Sequence, residues 1–146
     1  MVLFILIILI GIYIFNSSGT KPNQPASSLA ECDKIQHISL KNECYRTIGI
    51  GNHDMSICNT ISDDNLKYSC YAGVGTAIQD VSVCDMIIDK YINLKDNCYS
   101  GVAVAKKDIS ICNKVQQIEY CYMNVGIARQ DISICDMIQN QYAKDQ

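Results

Sequence analysis

The chain has no tryptophan, two phenylalanines and two prolines among its 146 residues. Both prolines, Pro22 and Pro25, come before residue 29, so the rest of the chain lacks the residue that most strongly disfavours a helix interior. Lysine and arginine form no cluster and the net charge is −3, which excludes the basic surface that nucleic-acid-binding proteins present. We therefore expect helices after residue 29 and no nucleic-acid partner.

The usual metal and cofactor motifs are also missing. No two cysteines lie closer than nine positions, so neither the close cysteine pairs of zinc sites nor the Cys-x-x-Cys-His of haem attachment occurs. His37 and His53 fall in expected turns and are interpreted as solvated residues. No nucleophile, base and orienting group recur together. The sequence predicts no catalytic residue, no metal, no cofactor and no enzymatic activity.

Residues 1–15 form an apolar segment without a single charged side chain. As a helix the segment would cover about 22 Å, less than the roughly 30 Å hydrocarbon core of a bilayer. A secretory signal usually starts with basic residues, whereas the first basic residue here is Lys21, although Ser17 and Gly19 could serve at a cleavage site. Two alternatives stay open: a short anchor or assembly helix, which makes membrane contact one option, and a cleaved signal.

Residues 16–28 have a different composition and predict a flexible linker between the apolar segment and a domain over residues 29–146. The linker contains both prolines and no apolar periodicity. Asn16 begins the sequon Asn-Ser-Ser, so glycosylation at Asn16 and a plain polar linker are both compatible with it.

The nine cysteines divide the remaining chain into four similar units and a trailing half unit. Units begin at cysteines separated by 26, 26, 28 and 23 residues. Four of these starting cysteines are the last residue of an Asp-x-Ser-x-Cys element, and a Cys-Tyr pair follows in each of the four full units. Self-similarity at this period is typical of helical repeat proteins. The unit-opening cysteines are Cys32, Cys58, Cys84, Cys112 and Cys135.

Each unit predicts two helices. The serine of Asp-x-Ser-x-Cys is predicted to be the N-cap of a first helix of about eight to ten residues, because a short acceptor such as Asp85 stands three positions later. Leu94, Cys98, Val102 and Ala105 form the apolar stripe of the longer second helix. A small residue recurs beside this stripe and indicates close approach between neighbouring units. The small residues are Gly49, Gly75, Ala103 and Gly126.

Two sets of disulfides fit the spacing. Bridges within a unit enclose a variable 11, 11, 13 or 8 residues, whereas bridges between units always enclose 13. The second set would place its two cysteines several ångströms apart along the helices, beyond the reach of a bridge, so the first set is favoured. It consists of Cys32–Cys44, Cys58–Cys70, Cys84–Cys98 and Cys112–Cys121, and it leaves Cys135 unpaired or free for an intermolecular bond.

A tyrosine follows the second cysteine of every unit. If the units stack, these tyrosines form a ladder with two interpretations: an interaction stripe, or rings that cover the grooves between units. The second interpretation is favoured. The four residues are Tyr45, Tyr71, Tyr99 and Tyr122.

These features predict an all-α fold: a short right-handed solenoid of four disulfide-linked helical hairpins with a terminal half repeat, preceded by an apolar amino-terminal helix. Over residues 29–142 the pattern resembles, at the level of architecture, the tetratricopeptide and Sel1-like repeat families, although its units are shorter and their signature residues are absent. The Asp-x-Ser-x-Cys and Cys-Tyr elements also resemble those of uncharacterised secreted or membrane-anchored proteins of microbes, archaea in particular. Neither resemblance implies a binding site or an activity.

Regular cysteines after an apolar segment predict an extracytoplasmic protein, either secreted or anchored at the cell surface. We expect a non-enzymatic structural protein that self-associates, with an extracellular filament as one form of assembly. The alternative is a membrane-tethered helical-repeat module that binds another surface protein. The expected partners are accordingly further copies of this chain or another surface protein.

Overall fold

A computed structural model of the protein describes residues 28–144, and within this range the chain is all-α. The predicted apolar helix over residues 1–15, the linker up to residue 27 and the sequon at Asn16 lie outside the described residues. The α-helices are α1 (Leu29–Asp33), α2 (Ile38–Asn52), α3 (Met55–Cys58), α4 (Asp64–Ile78), α5 (Val81–Asp85), α6 (Ile92–Lys106), α7 (Ile118–Arg129) and α8 (Ser133–Lys144). Two 3₁₀ helices cover Asp89–Tyr91 and Ile109–Lys114.

Long and short helices alternate along the chain. The long helices α2, α4 and α6 have 15 residues each and α7 has 12. The short elements before them have four to six residues, so the expected first helix of eight to ten residues is wrong for these four units. The chain has to turn soon after the first cysteine to bring the second cysteine opposite it. Only α8, which no described long helix follows, continues for 12 residues.

The aspartate of Asp-x-Ser-x-Cys, rather than the serine, caps the short helices. Asp54, Asp80 and Asp108 are the N-cap residues, and their carboxylates accept the backbone N–H of the serine two positions later at 2.8, 2.9 and 3.0 Å. Asp131 accepts that of Ser133 at 3.0 Å. The predicted serine cap is therefore wrong by two residues, because the aspartate side chain reaches the same orphan amides from an extended backbone.

Every long helix ends at a residue with left-handed backbone geometry. The N–H of the following aspartate then bonds back to the helix, as Asp80 does to the Gly75 carbonyl at 2.9 Å. This arrangement satisfies carbonyls that a helix end leaves without partners. Glycine usually takes such a position, but this chain has His53, Gln79, Lys107 and Gln130 there.

Four disulfides join each short element to the long helix that follows it. Their Cα–Cα distances are 5.5 or 5.6 Å, within the range of native bridges. The pairs are those of the within-unit set, and Cys135 is free. Four intramolecular disulfides indicate an oxidising, extracytoplasmic environment. The bridges are Cys32–Cys44, Cys58–Cys70, Cys84–Cys98 and Cys112–Cys121.

Contacts between elements follow the order of the chain. Helix α4 contacts the short helices α3 and α5 on either side of it in sequence, and it also contacts the long helices α2 and α6. Helix α6 contacts α7 in the same way. One cluster of buried side chains, mainly cysteine, valine and isoleucine, runs from Cys58 to Ile134, and a smaller one contains Cys32, Ile48 and Ile57.

The buried face of the long helices differs in part from the predicted stripe. Cys98 and Val102 are buried as expected, but Ala105 at the end of the stripe is exposed. Tyr99 and Ala103, one position after Cys98 and Val102, are buried instead. The buried face therefore includes the residues beside the stripe: Tyr99 bonds to Asp85 of its own unit, and Ala103 stands at the position where Gly75 lies against Val83 of the next unit.

Candidate functional site

The small residues beside the stripe lie against the disulfide or short helix of the next unit. A Cβ added at Gly49 would stand 3.0 Å from Sγ of Cys70, and one at Gly75 would stand 3.1 Å from Sγ of Cys98. At Gly126 the nearest atoms, which belong to Asp131 and Ile134, would be 3.4 Å away. Close approach between units is thus the reason for the recurring small residue, as the sequence predicts.

A second set of glycines contacts the preceding long helix, and the sequence analysis missed it. A Cβ at Gly73 would lie 2.5 Å from Cδ1 of Ile50, and one at Gly101 would lie 2.5 Å from Oγ1 of Thr76. Each of these glycines stands three residues after the second cysteine of its unit. The side chain that it faces stands six residues after the second cysteine of the preceding unit. That fixed offset between units is the signal that could have found them.

The tyrosines of the predicted ladder bond to the short elements of their own units. Tyr71 donates its hydroxyl hydrogen to the side-chain oxygen of Asn59, and Tyr99 donates to Asp85. Both rings are buried, and burial is the first cause that raises the pKa of each phenol. Tyr45 and Tyr122 are half-buried and bond in the same way to Asp33 and Asn113. The predicted interaction stripe therefore offers limited ring surface.

Polar side chains also link neighbouring units. Asn42 is buried, and its amide bonds to the Ser62 hydroxyl at 3.1 Å and accepts the Ser62 N–H at 3.3 Å. Asp96, two units later at the same position, accepts the Gln116 N–H at 3.0 Å. These bonds fix one long helix against the turn of the next unit.

The far end of the described array exposes an apolar face of α7. Tyr120, Met123 and Ile127 lie three and four residues apart, on one side of the helix, and they are 66%, 39% and 69% exposed. In the earlier units the residue equivalent to Ile127 is Ile50, Thr76 or Val104. Ile50 and Thr76 face a glycine of the next long helix. The α7 face has no such neighbour among the described residues.

Helix α8 covers part of this end. Ile134 is 3% exposed and joins the core, so the helix of the terminal half repeat packs against the preceding unit. Cys135 stays exposed and free, although every other unit-opening cysteine is fully buried. Ile138 is half-buried, whereas Ile61 and Ile87 at its position are buried. The exposed side of α8 is therefore the side that a long helix covers in the other units.

A groove runs between α7 and α8 over these side chains. It encloses about 500 Å³ and is lined by Gln117, Glu119, Tyr120, Met123 and Ile138. We call it the terminal groove. Its walls are mostly apolar and it is open to solvent, so it can bind an apolar helix but holds no group arranged for catalysis.

A second groove, of about 350 Å³, lies between α6 and α7. Asn93, Asn97, Gln117 and Asn124 are among its lining residues, and their amides can both donate and accept hydrogen bonds. It is a polar surface suited to a hydrogen-bonding ligand.

In the described part of the chain, no three His, Cys, Asp or Glu side chains converge as a metal site requires. Between residues 28 and 144 no helix combines the length and the apolar character needed to span a bilayer. In comparisons with known proteins, the chain matches no family model, no curated protein and no solved structure. The function of the chain is therefore inferred from the sites themselves.

Proposed function

We propose that this chain is a non-enzymatic structural protein of the cell surface that self-associates, with an extracellular filament as the form of assembly. In this proposal the disulfide-linked helix pairs are hairpins that stack as a short right-handed solenoid, and residues 1–15 serve assembly or anchoring. The oxidising environment indicated by the disulfides is compatible with that location.

The exposed apolar face of α7 carries the proposal. Ile127 occupies the position that the following long helix covers at Ile50 and Thr76, and Tyr120, Met123 and Ile127 are all open to solvent. Repeat arrays need a polar cap at their ends to stay monomeric. Contacts between two different surfaces of the same chain build open assemblies when they do not close into a ring.

Sedimentation analysis and electron microscopy of the full chain under oxidising conditions test this function. We expect species larger than the monomer, with a size that rises with protein concentration. A chain that stays monomeric at every concentration contradicts the proposal.

A second function is favoured by the polar groove between α6 and α7. Its amide side chains suit a membrane-tethered helical-repeat module that holds another surface protein through hydrogen bonds. A 1:1 complex between the full chain and a different surface protein, lost when Asn97 and Asn124 are both replaced by leucine, would support this alternative over self-association.

A further inference from the structure

We propose that the terminal groove is filled by residues 1–15 of a second copy of the chain, in the position where a fifth long helix would lie. This inference rests on the proposed self-association and names the segment that produces it. The occupant is a helix of this protein, contributed by the neighbouring subunit.

The groove has the surroundings of a missing long helix. Inside the array each long helix covers three features. They are the unit-opening cysteine, the aliphatic residue three positions after that cysteine, and the side of the preceding long helix that faces the next unit. At the end formed by α7 and α8 the corresponding residues are Ile138, which lines the terminal groove, and Cys135 and Ile127 on the same two helices. Cys135 and Ile127 are exposed and Ile138 is half-buried. One added helix would cover all three and continue the interface already present between α2, α4 and α6.

Residues 1–15 match that helix in length and, unlike α2, α4 and α6, carry no charge. Helices α2, α4 and α6 have 15 residues each, and the segment of 15 residues at the start of the chain has no charged side chain. A helix that is apolar on every side is stable only when it is buried. The terminal groove supplies two apolar walls, from α7 and α8, for such a helix.

A symmetric pairing of two terminal grooves fits less well. Two concave surfaces that face each other enclose a gap, and an unfilled gap lacks the close contacts that stabilise an interface. Insertion of a helix fills the groove. Because the segment and the groove are different parts of the chain, each copy can offer one and receive the other, which gives an open assembly.

The register follows from the repeats. In α4 and α6 a glycine three residues after the bridged cysteine lies against the preceding long helix. The segment has one glycine, Gly11, so Gly11 is placed against Ile127 and Ile8, three residues before it, faces Cys135. The segment contains no cysteine, and Cys135 accordingly remains a free thiol in the assembly.

Disulfide cross-linking between two chains tests the occupant. The full chain carrying Ile8→Cys and Cys135→Ser is mixed with the unmodified full chain, and the mixture is oxidised mildly. We expect a covalent heterodimer joined at Cys135, identified by peptide mass analysis. The matched control is Ile10→Cys in the same background, which lies about 200° further round a helix and should cross-link at least about fivefold less.

Substitution on the exposed face of α7, beside the groove, gives a second test that does not depend on register. Ile127→Glu should raise the dissociation constant of self-association by at least about tenfold, because it buries a charge against an apolar helix. Met86→Glu is the control, since Met86 is 50% exposed and lies outside the groove. Helix content and the number of disulfides should stay unchanged in both variants.

Each outcome has one meaning. If the chain self-associates, three results overturn this inference and leave the proposed function standing. They are absence of the heterodimer, equal cross-linking at both cysteine positions, and an unchanged dissociation constant for Ile127→Glu. Cross-links between two Ile8→Cys chains point to segments that pack on each other and also overturn it. An unmodified chain that never self-associates contradicts the proposed function itself.

Discussion

Glycines in the long helices have two opposite environments. A Cβ at Gly51 would meet no atom within 4 Å, whereas one at Gly75 would stand 3.1 Å from both Sγ of Cys98 and Cβ of Val83. Both glycines are helical and neither has a positive φ. Glycine therefore lowers helix stability at position 51 without any packing benefit. At position 75 glycine is required for the close packing of the two units.

We predict opposite stabilities for alanine at these two sites. Gly51→Ala should raise the free energy of unfolding by about 0.5–1 kcal/mol, the usual gain of alanine over glycine in a helix. Gly75→Ala should lower it by about 1 kcal/mol or more, because overpacking outweighs that gain. Denaturant unfolding of the oxidised chain measures both, and Gly126→Ala, with its nearest atoms at 3.4 Å, should fall between them. Equal effects at all three positions would contradict the packing argument.

The four capping aspartates make stability depend on acid. Hydrogen bonds from the following serine hold the pKa of each carboxyl below its ordinary value. A folded pKa below the unfolded value of about 3.9 means that the contribution is present above that pH and is lost as the pH falls through the folded pKa. The aspartates are Asp54, Asp80, Asp108 and Asp131.

We therefore expect the thermal midpoint of the chain to fall when the pH drops below about 4. A variant with all four aspartates replaced by asparagine should show a shallower fall, because asparagine caps helices without titrating. Asp89, whose pKa is lowered by its bond to Lys95, and Glu43, whose pKa is lowered by Arg46, remain in that variant and keep part of the slope. Identical profiles between pH 2 and 6 would show that the caps do not titrate in this way.

At the scale of the element, the effect of removing a disulfide should depend on the position of that disulfide in the chain. Cys32–Cys44 joins the first pair of helices, whereas Cys84–Cys98 joins elements that contact units on both sides. Both close loops of similar length, with separations of 12 and 14 residues, so their loop-closure contributions should be alike at about 3 kcal/mol.

Replacing both cysteines of one bridge by alanine should separate the two cases. Loss of Cys84–Cys98 should reduce amide-exchange protection in α4, α6 and α7, because α6 packs against both of the other helices. Loss of Cys32–Cys44 should reduce protection mainly in α1 and α2. Exchange measured by mass spectrometry on the two variants checks this, and an equally local loss in both would show that the units do not support one another.

Sequence reasoning reached the helical class and the disulfide-linked units because both follow from regular spacing. It missed the length of the short helices, since that length is set by the long helix that must follow. The same Asp-x-Ser-x-Cys element opens a five-residue helix at Val81 and a 12-residue helix at Ser133. It also missed the left-handed helix ends, because glutamine and lysine at these positions carry no signal of that geometry.

The terminal groove could be predicted only in part. The trailing half unit predicts a last helix with no long helix after it, but the burial of Ile134 against α7 depends on tertiary contact and has no pattern in the sequence. The exposure of Tyr120, Met123 and Ile127 likewise appears only when α7 is compared with the equivalent faces of α2 and α4.

At the scale of the whole molecule, the fold should depend on oxidation. The largest fully buried side chains are isoleucines and valines, with cysteines beside them, and a core of small side chains gives limited hydrophobic stabilisation. We predict that the reduced and alkylated chain loses most of its helical circular dichroism and its cooperative unfolding. A reduced chain that still unfolds cooperatively would show that the helices pack without the bridges.

The same four bridges set how far the chain can lengthen under tension. When its two ends are pulled apart, force passes through each sulfur–sulfur bond and bypasses the residues that the bridge encloses. Only the segments between bridges can unravel, each adding at most about 3.3–3.6 Å per residue. If subunits of this kind assemble into the proposed fibre, its extension has a fixed limit, reached while every bridged loop is still closed.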